Sequence, residues 1–257
     1  MKLEIVSHCW QYSRPLAFQL SSLYLYPPSE TTVMMTLFYS ETDHNTAEVL
    51  KFFAGQSAPS RFTLNPWPLP PDRITRRMIG RNLAALATDA DWVWFTDCDY
   101  VFRQGCLDTI CHWNAAPDVS LFFPRQTHIS RTHEDGDSEL ARVASPMCLI
   151  DVDSKKYMAK TLRRAIGGIQ LVRGELARRT GYCRHSRFQH MPSLTWAPNH
   201  DDIWFRRSLG TAGVPMDIPQ VYRIRHSTRG GTLLDGGAVL EAPSINLTDL
   251  TAGETLL

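Results

Sequence analysis

Residues 92–100 of the 257-residue chain are Trp92-Val93-Trp94-Phe95-Thr96-Asp97-Cys98-Asp99-Tyr100. Four consecutive apolar residues make both faces of a strand hydrophobic, which is typical of a central strand in a parallel sheet. Two acids, Asp97 and Asp99, follow at once, and sheets of this kind bind ligands at the carboxyl ends of their strands. The segment therefore predicts a buried strand that delivers two carboxylates to a ligand site.

Strand and helix patterns alternate on both sides of this segment. Alternation at this spacing predicts an α/β fold, a Rossmann-like and mostly parallel sheet with helices on both faces. The pattern predicts strands at Leu3–Val6, Thr32–Tyr39, Arg61–Leu64, Trp92–Thr96 and Val119–Phe123, and helices at Arg14–Tyr24, Asn45–Ala54, Asp72–Thr88, Gln104–Trp113 and Tyr157–Ala165.

The composition fits one globular domain. Lys and Arg number 27 against 26 Asp and Glu, and 43% of the residues are hydrophobic. This composition excludes a chain that is, as a whole, a disordered tail or a small disulfide-rich module. A net charge of +1 gives no general attraction to nucleic acid or to anionic membranes. We expect the domain to cover residues 1–230, and residues 231–257, rich in Gly and Thr, to form a flexible tail.

The sequence favours a reduced, cytoplasmic protein. Its first apolar run, Leu3–Val6, contains Glu4 and is interpreted as a strand, not a secretory signal. We find no apolar stretch of membrane-spanning length. The six cysteines include no Cys-x-x-Cys pair, so a structural zinc site is not expected.

Asp97 and Asp99 are candidate metal ligands. Two carboxylates this close repel by roughly 4 kcal/mol at 4 Å in an intermediate dielectric unless a cation lies between them. Mg²⁺ and Mn²⁺ favour carboxylates together with phosphate oxygens, so the pair suits a diphosphate ligand. The alternative is a solvated loop in which Asp99 caps the next helix.

Arg81 is a candidate for anion binding. On a continuous helix from Asp72 to Thr88 it falls on the apolar side, where an arginine needs an anionic partner, either protein or phosphate. The same helical phase places Arg73, Arg76 and Arg77 on an outer, solvated face.

Several segments together resemble nucleotide-sugar-dependent glycosyltransferases of the GT-A fold, as in glycosyltransferase family 2 and the polypeptide N-acetylgalactosaminyltransferases. The resemblance covers most of residues 3–230 in the family order. Its motifs are Arg81-Asn82 followed by Asp91–Asp99, Thr46–Leu50, Gly167–Gln170 with Arg173–Leu176, His200–Arg207, and the strand Tyr222–His226.

The resemblance implies a GT-A-like domain with a nucleotide-sugar-binding half, residues 1–125, and an acceptor-side half, residues 145–230. It implies Mn²⁺ or Mg²⁺ on Asp97 and Asp99, with His226 as a further ligand. Asp202, the second acid at a helix start, takes the role of general base in an inverting reaction, because the helix dipole keeps such a carboxylate ionised. In a retaining reaction it would only position the acceptor. Asp201 is expected to contact the acceptor or to cap the helix.

Further candidates complete the expected site. Arg81 and Arg229 would neutralise the diphosphate, and the flexible backbone at Gly168 can approach a ligand closely. The paired acids that family 2 enzymes use for the nucleotide are replaced by Phe38–Asp43, where Glu41 is a candidate and Asp43 is interpreted as a helix cap. Trp196 and Trp204 could stack on a sugar ring, although core packing is the commoner role of tryptophan.

Two other functions stay open, a metal-dependent sugar nucleotidyltransferase and a non-catalytic nucleotide-sugar-binding protein. The acceptor is a saccharide or a polyanion such as modified DNA. The second choice comes from three arginine clusters, at Arg163-Arg164, Arg178-Arg179 and Arg184–Arg187.

Overall fold

The computed structural model describes residues 1–113, 119–134, 137–141, 147–186, 191–194 and 200–227. Its larger sheet has seven strands in the order β10-β6-β9-β4-β1-β2-β3. The strands are β1 Lys2–His8, β2 Thr32–Tyr39, β3 Phe62–Pro68, β4 Trp92–Phe95, β6 Phe122–Pro124, β9 Gln170–Arg173 and β10 Val214–Met216.

Most pairs in this sheet are parallel, and β9 is the exception. β1 pairs in parallel with β2 and β4, and β2 pairs in parallel with β3. β9 runs antiparallel to both of its neighbours, β4 and β6. All four residues of β4 are buried between β1 and β9, as the all-apolar segment predicts.

Helices flank the sheet. They are α1 Ser13–Leu25, α2 His44–Ala54, α3 Pro71–Ile74, α4 Arg77–Ala87, α5 Ser138–Ala141, α6 Gly174–Thr180 and α7 Asp201–Ser208. α1 contacts α2, and α4 contacts α6. Two short 3-10 helices, Asp108–His112 and Ser154–Lys156, complete the helical segments of the described residues. None of the helices in this part of the chain is long and apolar enough to cross a membrane.

A second sheet has the strand order β5-β11-β7-β8. Its strands are β5 Tyr100–Phe102, β7 Gln126–His133, β8 Tyr157–Thr161 and β11 Val221–His226. β5 follows β4 after a short turn, so the second sheet begins where the central strand of the first one ends. This junction brings β11 to the carboxyl end of β4, because β11 pairs with β5.

Three helix predictions are wrong. The predicted helix from Gln104 to Trp113 contains a turn and the 3-10 helix Asp108–His112. The predicted helix from Asp72 to Thr88 is broken at Thr75 and Arg76, where the backbone angles of Arg76 are not helical. The segment at Tyr157–Ala165 begins with strand β8, which pairs along β7. Four of the five β8 residues are exposed because it is an edge strand, so its sequence carries no alternating apolar pattern.

Glu4 in β1 has a buried carboxyl group that lowers the stability of the fold when it ionises. It is 2% exposed, and burial raises its pKa, with the hydroxyls of Thr36 and Thr88 opposing that shift only in part. A carboxyl whose pKa is raised on folding opposes folding once it ionises, so the cost is absent below the unfolded pKa, near 4.5, and appears as the pH rises through the folded pKa.

Glu4→Gln is therefore expected to raise the free energy of unfolding by about 1 kcal/mol at pH 8 and to have little effect at pH 4. Thermal unfolding at the two pH values measures this. Glu48→Gln, on the exposed side of α2, is the control and should change neither value. Equal stabilisation at both pH values would contradict the prediction.

Candidate active site

A cleft of about 610 Å³ lies at the carboxyl ends of β1 and β4. Seven segments converge on it, namely the β1–α1 loop, the start of α4, the β4–β5 turn, strand β7, the loop before β9, the start of α7, and β11. The residues that line it include His8, Trp10, Tyr12, Arg77, Asp97, Asp99, Tyr100, Gly167, Gly168, Asp201, Asp202, Arg223, Arg225 and His226.

The β4–β5 turn places Asp97 and Asp99 in the cleft. The amide of Tyr100 donates to the carbonyl of Asp97, which closes the turn, and the amide of Ile224 donates to the carbonyl of Asp99. The chain therefore reverses directly after the buried strand, and both carboxylates stay at its end.

Two arginines and two aspartates form a closed network behind the cleft. Arg77 donates to Asp97 at 2.9 Å and to Asp201 at 3.0 Å. Arg81 donates to the same two carboxylates, at 2.9 Å and 3.1 Å. The side chains of Arg81 and Asp201 are 0% and 1% exposed, so these charges are neutralised inside the protein. The network ties the end of β4 to the start of α7.

The network also controls ionisation. Burial alone would raise the pKa of Asp97, but the positive charges of Arg77 and Arg81 outweigh it and lower that pKa to about 2. Burial likewise works against the charged form of Arg77, and Asp201 and Asp97 reverse this and raise its pKa. Asp97 is therefore a carboxylate at any pH near neutrality.

Asp99 has a different environment. Its Oδ2 accepts a hydrogen bond from Arg223 Nε at 3.0 Å, and its Oδ1 is buried with no hydrogen-bond partner among the described residues. Burial raises the pKa of Asp99, and Arg223 offsets this only in part. A buried carboxylate oxygen without a partner is costly in a folded protein, so Oδ1 of Asp99 in the cleft is a candidate ligand atom.

Asp202 faces the cleft from the first turn of α7. Its Oδ2 accepts a hydrogen bond from Arg206 Nη1 at 2.8 Å, one turn along the helix, and Arg206 also donates to the carbonyl of Ala165. This second bond holds the loop before Gly167 against α7. A side-chain carbon at Gly167 would lie 3.8 Å from Cβ of Asp202, so glycine keeps the space beside the acid open.

The donor atoms in the cleft are of the chemical types that a divalent ion uses. Both arginines donate to Oδ1 of Asp97, and its Oδ2 lies 3.9 Å from the place that a side-chain carbon of Gly167 would take. With the unpartnered Oδ1 of Asp99 and the imidazole of His226, the cleft offers ligands that suit Mn²⁺ or Mg²⁺. The ligand atoms of the three residues do not form a group within 4.8 Å, judged over the described parts of the chain.

The structure brings most of the predicted site residues together. Asp97, Asp99, Gly168, Asp201, Asp202 and His226 all line the cleft. Gly168 has a steric role, because a side-chain carbon there would come within 2.1 Å of the Tyr100 ring. Trp196 and Arg229 lie outside the described residues.

Four expectations need correction. Arg81 is fully buried and bonded to protein groups, so it does not reach a ligand in the cleft. Asp201 pairs with the two arginines, which replaces its expected acceptor contact. Glu41 is exposed in the turn after β2 and is not part of the cleft wall. Trp204 packs under the guanidinium of Arg207, 5.5 Å from the ring centre, also outside the cleft wall.

Sequence reasoning missed Arg77 and the aromatic β1–α1 loop. Arg77 turns inward because α4 begins anew after the break at Thr75, which shifts the helical phase. Asp43 caps α2 as expected, accepting from the amide of Thr46 at 3.2 Å. Its other oxygen accepts from the amide of Gln11 at 2.6 Å, which fixes the loop carrying Trp10 and Tyr12.

Comparison with solved structures identifies the architecture. Neither protein-family models nor curated protein sequences match the chain. A mannosyltransferase from Pyrobaculum calidifontis, PcManGT in complex with GDP-Man and Mn²⁺, aligns with a TM-score of 0.52 and 13% identity over 87% of this chain and 56% of its own. S. aureus TarS 1-349 in complex with UDP-GlcNAc aligns with a TM-score of 0.54 and 10% identity over 93% of this chain and 62% of its own.

The chain has the GT-A fold. In both comparisons it spans less than two thirds of the other protein's length. In this GT-A domain the cleft lies where the sequence predicts it, at the end of β4. The mostly parallel sheet flanked by helices is thereby confirmed.

Asp201→Asn tests the network. The change keeps the shape of the side chain but removes one of the two negative charges that neutralise Arg77 and the fully buried Arg81. We expect the free energy of unfolding to fall by about 3 kcal/mol, measured by urea denaturation. Asp217→Asn removes an exposed carboxylate that pairs with Arg125 and should cost no more than about 1 kcal/mol. Equal losses in the two variants would contradict a buried, energetically tight network.

Proposed function

We propose that the chain is a metal-dependent glycosyltransferase that moves a sugar from a nucleotide diphosphate sugar to an acceptor hydroxyl. One observation carries the proposal. Asp97, a candidate metal ligand, and Asp202, a candidate base, both border the space above Gly167. Oδ2 of Asp97 lies 3.9 Å, and Cβ of Asp202 lies 3.8 Å, from the place that a side-chain carbon there would take. A reaction that needs a bound diphosphate on one side and a proton acceptor on the other fits this arrangement.

The fold supports the choice of donor. PcManGT is in complex with GDP-Man and Mn²⁺, and TarS is in complex with UDP-GlcNAc. A nucleotide sugar is therefore the donor class that we assign to this cleft. An assay with different nucleotide sugars would identify the base and the sugar.

Asp97, Asp99 and His226 would hold Mn²⁺ or Mg²⁺. When bound, the ion neutralises the negative charge of the diphosphate. Arg223 and Arg225, which line the cleft on β11, take over the leaving-group role that the sequence suggests for Arg81. Arg223 is already held in place by its bond to Asp99, so the guanidinium is oriented before a donor binds. Arg229, three residues after His226, is kept as a further candidate for the same role.

Asp202 would act as the base in an inverting transfer. The acceptor oxygen forms a bond to the anomeric carbon as the bond from that carbon to the diphosphate oxygen breaks. The hydroxyl proton passes to Asp202, and the nucleoside diphosphate leaves with the electron pair of the broken bond. Arg206 orients Asp202, because it holds the carboxylate by one oxygen and leaves the other for the hydroxyl.

Asp202→Asn is the test of the proposal. We expect the variant to lose 10²- to 10⁴-fold in kcat, since asparagine cannot accept the proton, with donor affinity little changed. Release of nucleoside diphosphate from GDP-mannose or UDP-N-acetylglucosamine in the presence of Mn²⁺ is the measurement. Asp217→Asn, far from the cleft wall, is the matched control. Full activity in Asp202→Asn, or in Asp99→Asn, would remove the assignment, and pyrophosphate release from a nucleoside triphosphate and a sugar phosphate would favour a nucleotidyltransferase.

Two exposed arginines support a negatively charged acceptor. Arg163 and Arg164 are exposed and precede the cleft-lining residue Gly167 by four and three residues in the chain. Neither forms an ion pair with a described residue. The cluster at Arg178-Arg179 is engaged within the protein, since Arg178 donates to the carbonyls of Thr88 and Ala90 and Arg179 pairs with Glu175. In the third cluster, Arg187 lies outside the described residues. Of the acceptors considered, a polyanion is the one that uses these two free charges.

A salt titration tests this part. Binding of a single-stranded oligodeoxynucleotide is measured by fluorescence anisotropy over a range of salt concentrations. Exchanging Arg163 and Arg164 for serine should make the slope of log K against log salt shallower by about 1.4, because two phosphate contacts are lost. The control exchanges Lys51 and Arg61, which are exposed at the far side of the sheet, for serine. A flat salt response of the wild type would leave a neutral saccharide as the acceptor.

A further inference from the structure

A second group of metal-type ligands lies away from the cleft. Glu30, in the loop before β2, faces Cys111 and His112 at the end of the first 3-10 helix, and the ligand atoms of the three side chains lie within 4.8 Å of one another. Oε2 of Glu30 lies 3.0 Å from Nε2 of His112 and 3.9 Å from Sγ of Cys111. Within the described part of the chain, no other trio of His, Cys, Asp or Glu meets this distance.

The position of this trio is fixed by backbone hydrogen bonds. Asp108, the first residue of the 3-10 helix, accepts from the amides of Ser29, Glu30 and Thr31 at 2.8, 3.0 and 2.9 Å, and also from the hydroxyl of Ser29. The loop that carries Glu30 is therefore clamped to the helix that carries Cys111 and His112. The backbone positions of these three residues relative to one another are therefore fixed by the fold.

The spacing agrees with zinc geometry. Zinc bonds of about 2.3 Å to sulfur and about 2.0–2.1 Å to nitrogen or oxygen, arranged tetrahedrally, separate the ligand atoms by roughly 3.3–3.6 Å. The two distances from Glu30 Oε2 lie on either side of this range. Shifts of a few tenths of an ångström at exposed side chains would close the site, with the fourth position left for water.

The ligand chemistry differs from that of the cleft. A thiolate and an imidazole select zinc over Mg²⁺, which prefers oxygen ligands. Glu30 precedes the amino end of β2, whereas the cleft lies at the carboxyl ends of its parallel neighbours, so about 25 Å of strand separates the two. The absence of a Cys-x-x-Cys pair does not bear on this trio, because it uses one cysteine, the histidine beside it and a distant glutamate.

We propose that Glu30, Cys111 and His112 bind one Zn²⁺, which fastens the loop before β2 to the 3-10 helix. The Cys111 thiol now lies against the carbonyl of Asp108 at 2.8 Å, and it gives up its proton to solvent as zinc binds. Glu30 and His112 are largely exposed, so the bound ion exchanges with solvent.

Zinc titration of the metal-free full chain against a chromophoric chelator tests the proposal. Saturating Mg²⁺ is present throughout, so that the cleft carboxylates are occupied. We expect one zinc per chain, an at least tenfold loss of affinity in Cys111→Ser and in His112→Asn, and no change in Cys148→Ser, which removes an exposed cysteine elsewhere. Cobalt(II) should give a thiolate charge-transfer band in the wild type and in Cys148→Ser, and none in Cys111→Ser.

The outcomes separate cleanly. His112→Asn alters an exposed side chain, so it keeps the test informative if Cys111→Ser folds poorly. Zinc binding that is unchanged in both variants, or no zinc binding by the wild type, would overturn the proposal. Neither result bears on glycosyl transfer, because none of the three residues lines the cleft.

Discussion

The closed network of Arg77, Arg81, Asp97 and Asp201 is the interaction on which the rest of the site depends. Each arginine holds both carboxylates, so neither the β4–β5 turn nor the start of α7 can move without separating buried charges. Breaking such a pair inside a protein costs several kcal/mol, far more than a surface ion pair is worth. The network therefore holds together two segments that are 104 residues apart in the chain, from Asp97 to Asp201.

Because of this network, neighbouring acids have different surroundings. Asp201 faces inward and holds the arginines, which leaves Asp202, the next residue, facing the cleft with one oxygen on Arg206. In the same way Asp97 anchors the turn through Oδ1, and Asp99 keeps an unpartnered oxygen. In both pairs one acid is held by the two arginines, and the other is a candidate to contact a ligand.

The sequence predicts the features that depend on local composition. An all-apolar β4 has to be buried on both faces, and acids directly after it have to emerge at the sheet's carboxyl edge. The inward turn of Arg77 was not predictable, because it depends on a helix break at Thr75, whose hydroxyl bonds to the distant carbonyl of Ser193. Arg81 was placed correctly on the buried side, but its partner is protein, and only the three-dimensional structure brings Asp201 to it.

The edge strand β8 has a consequence for the behaviour of the protein in solution. No strand among the described residues pairs with its outer edge, and its side chain at Met158 is 69% exposed. Lys160 on the strand and Lys155 just before it are exposed and bring positive charge to the edge, whereas Lys156 pairs with Glu139. A second copy that approached to pair its own β8 with this edge would bring the same positive charge. Repulsion between the lysines therefore opposes edge-to-edge aggregation.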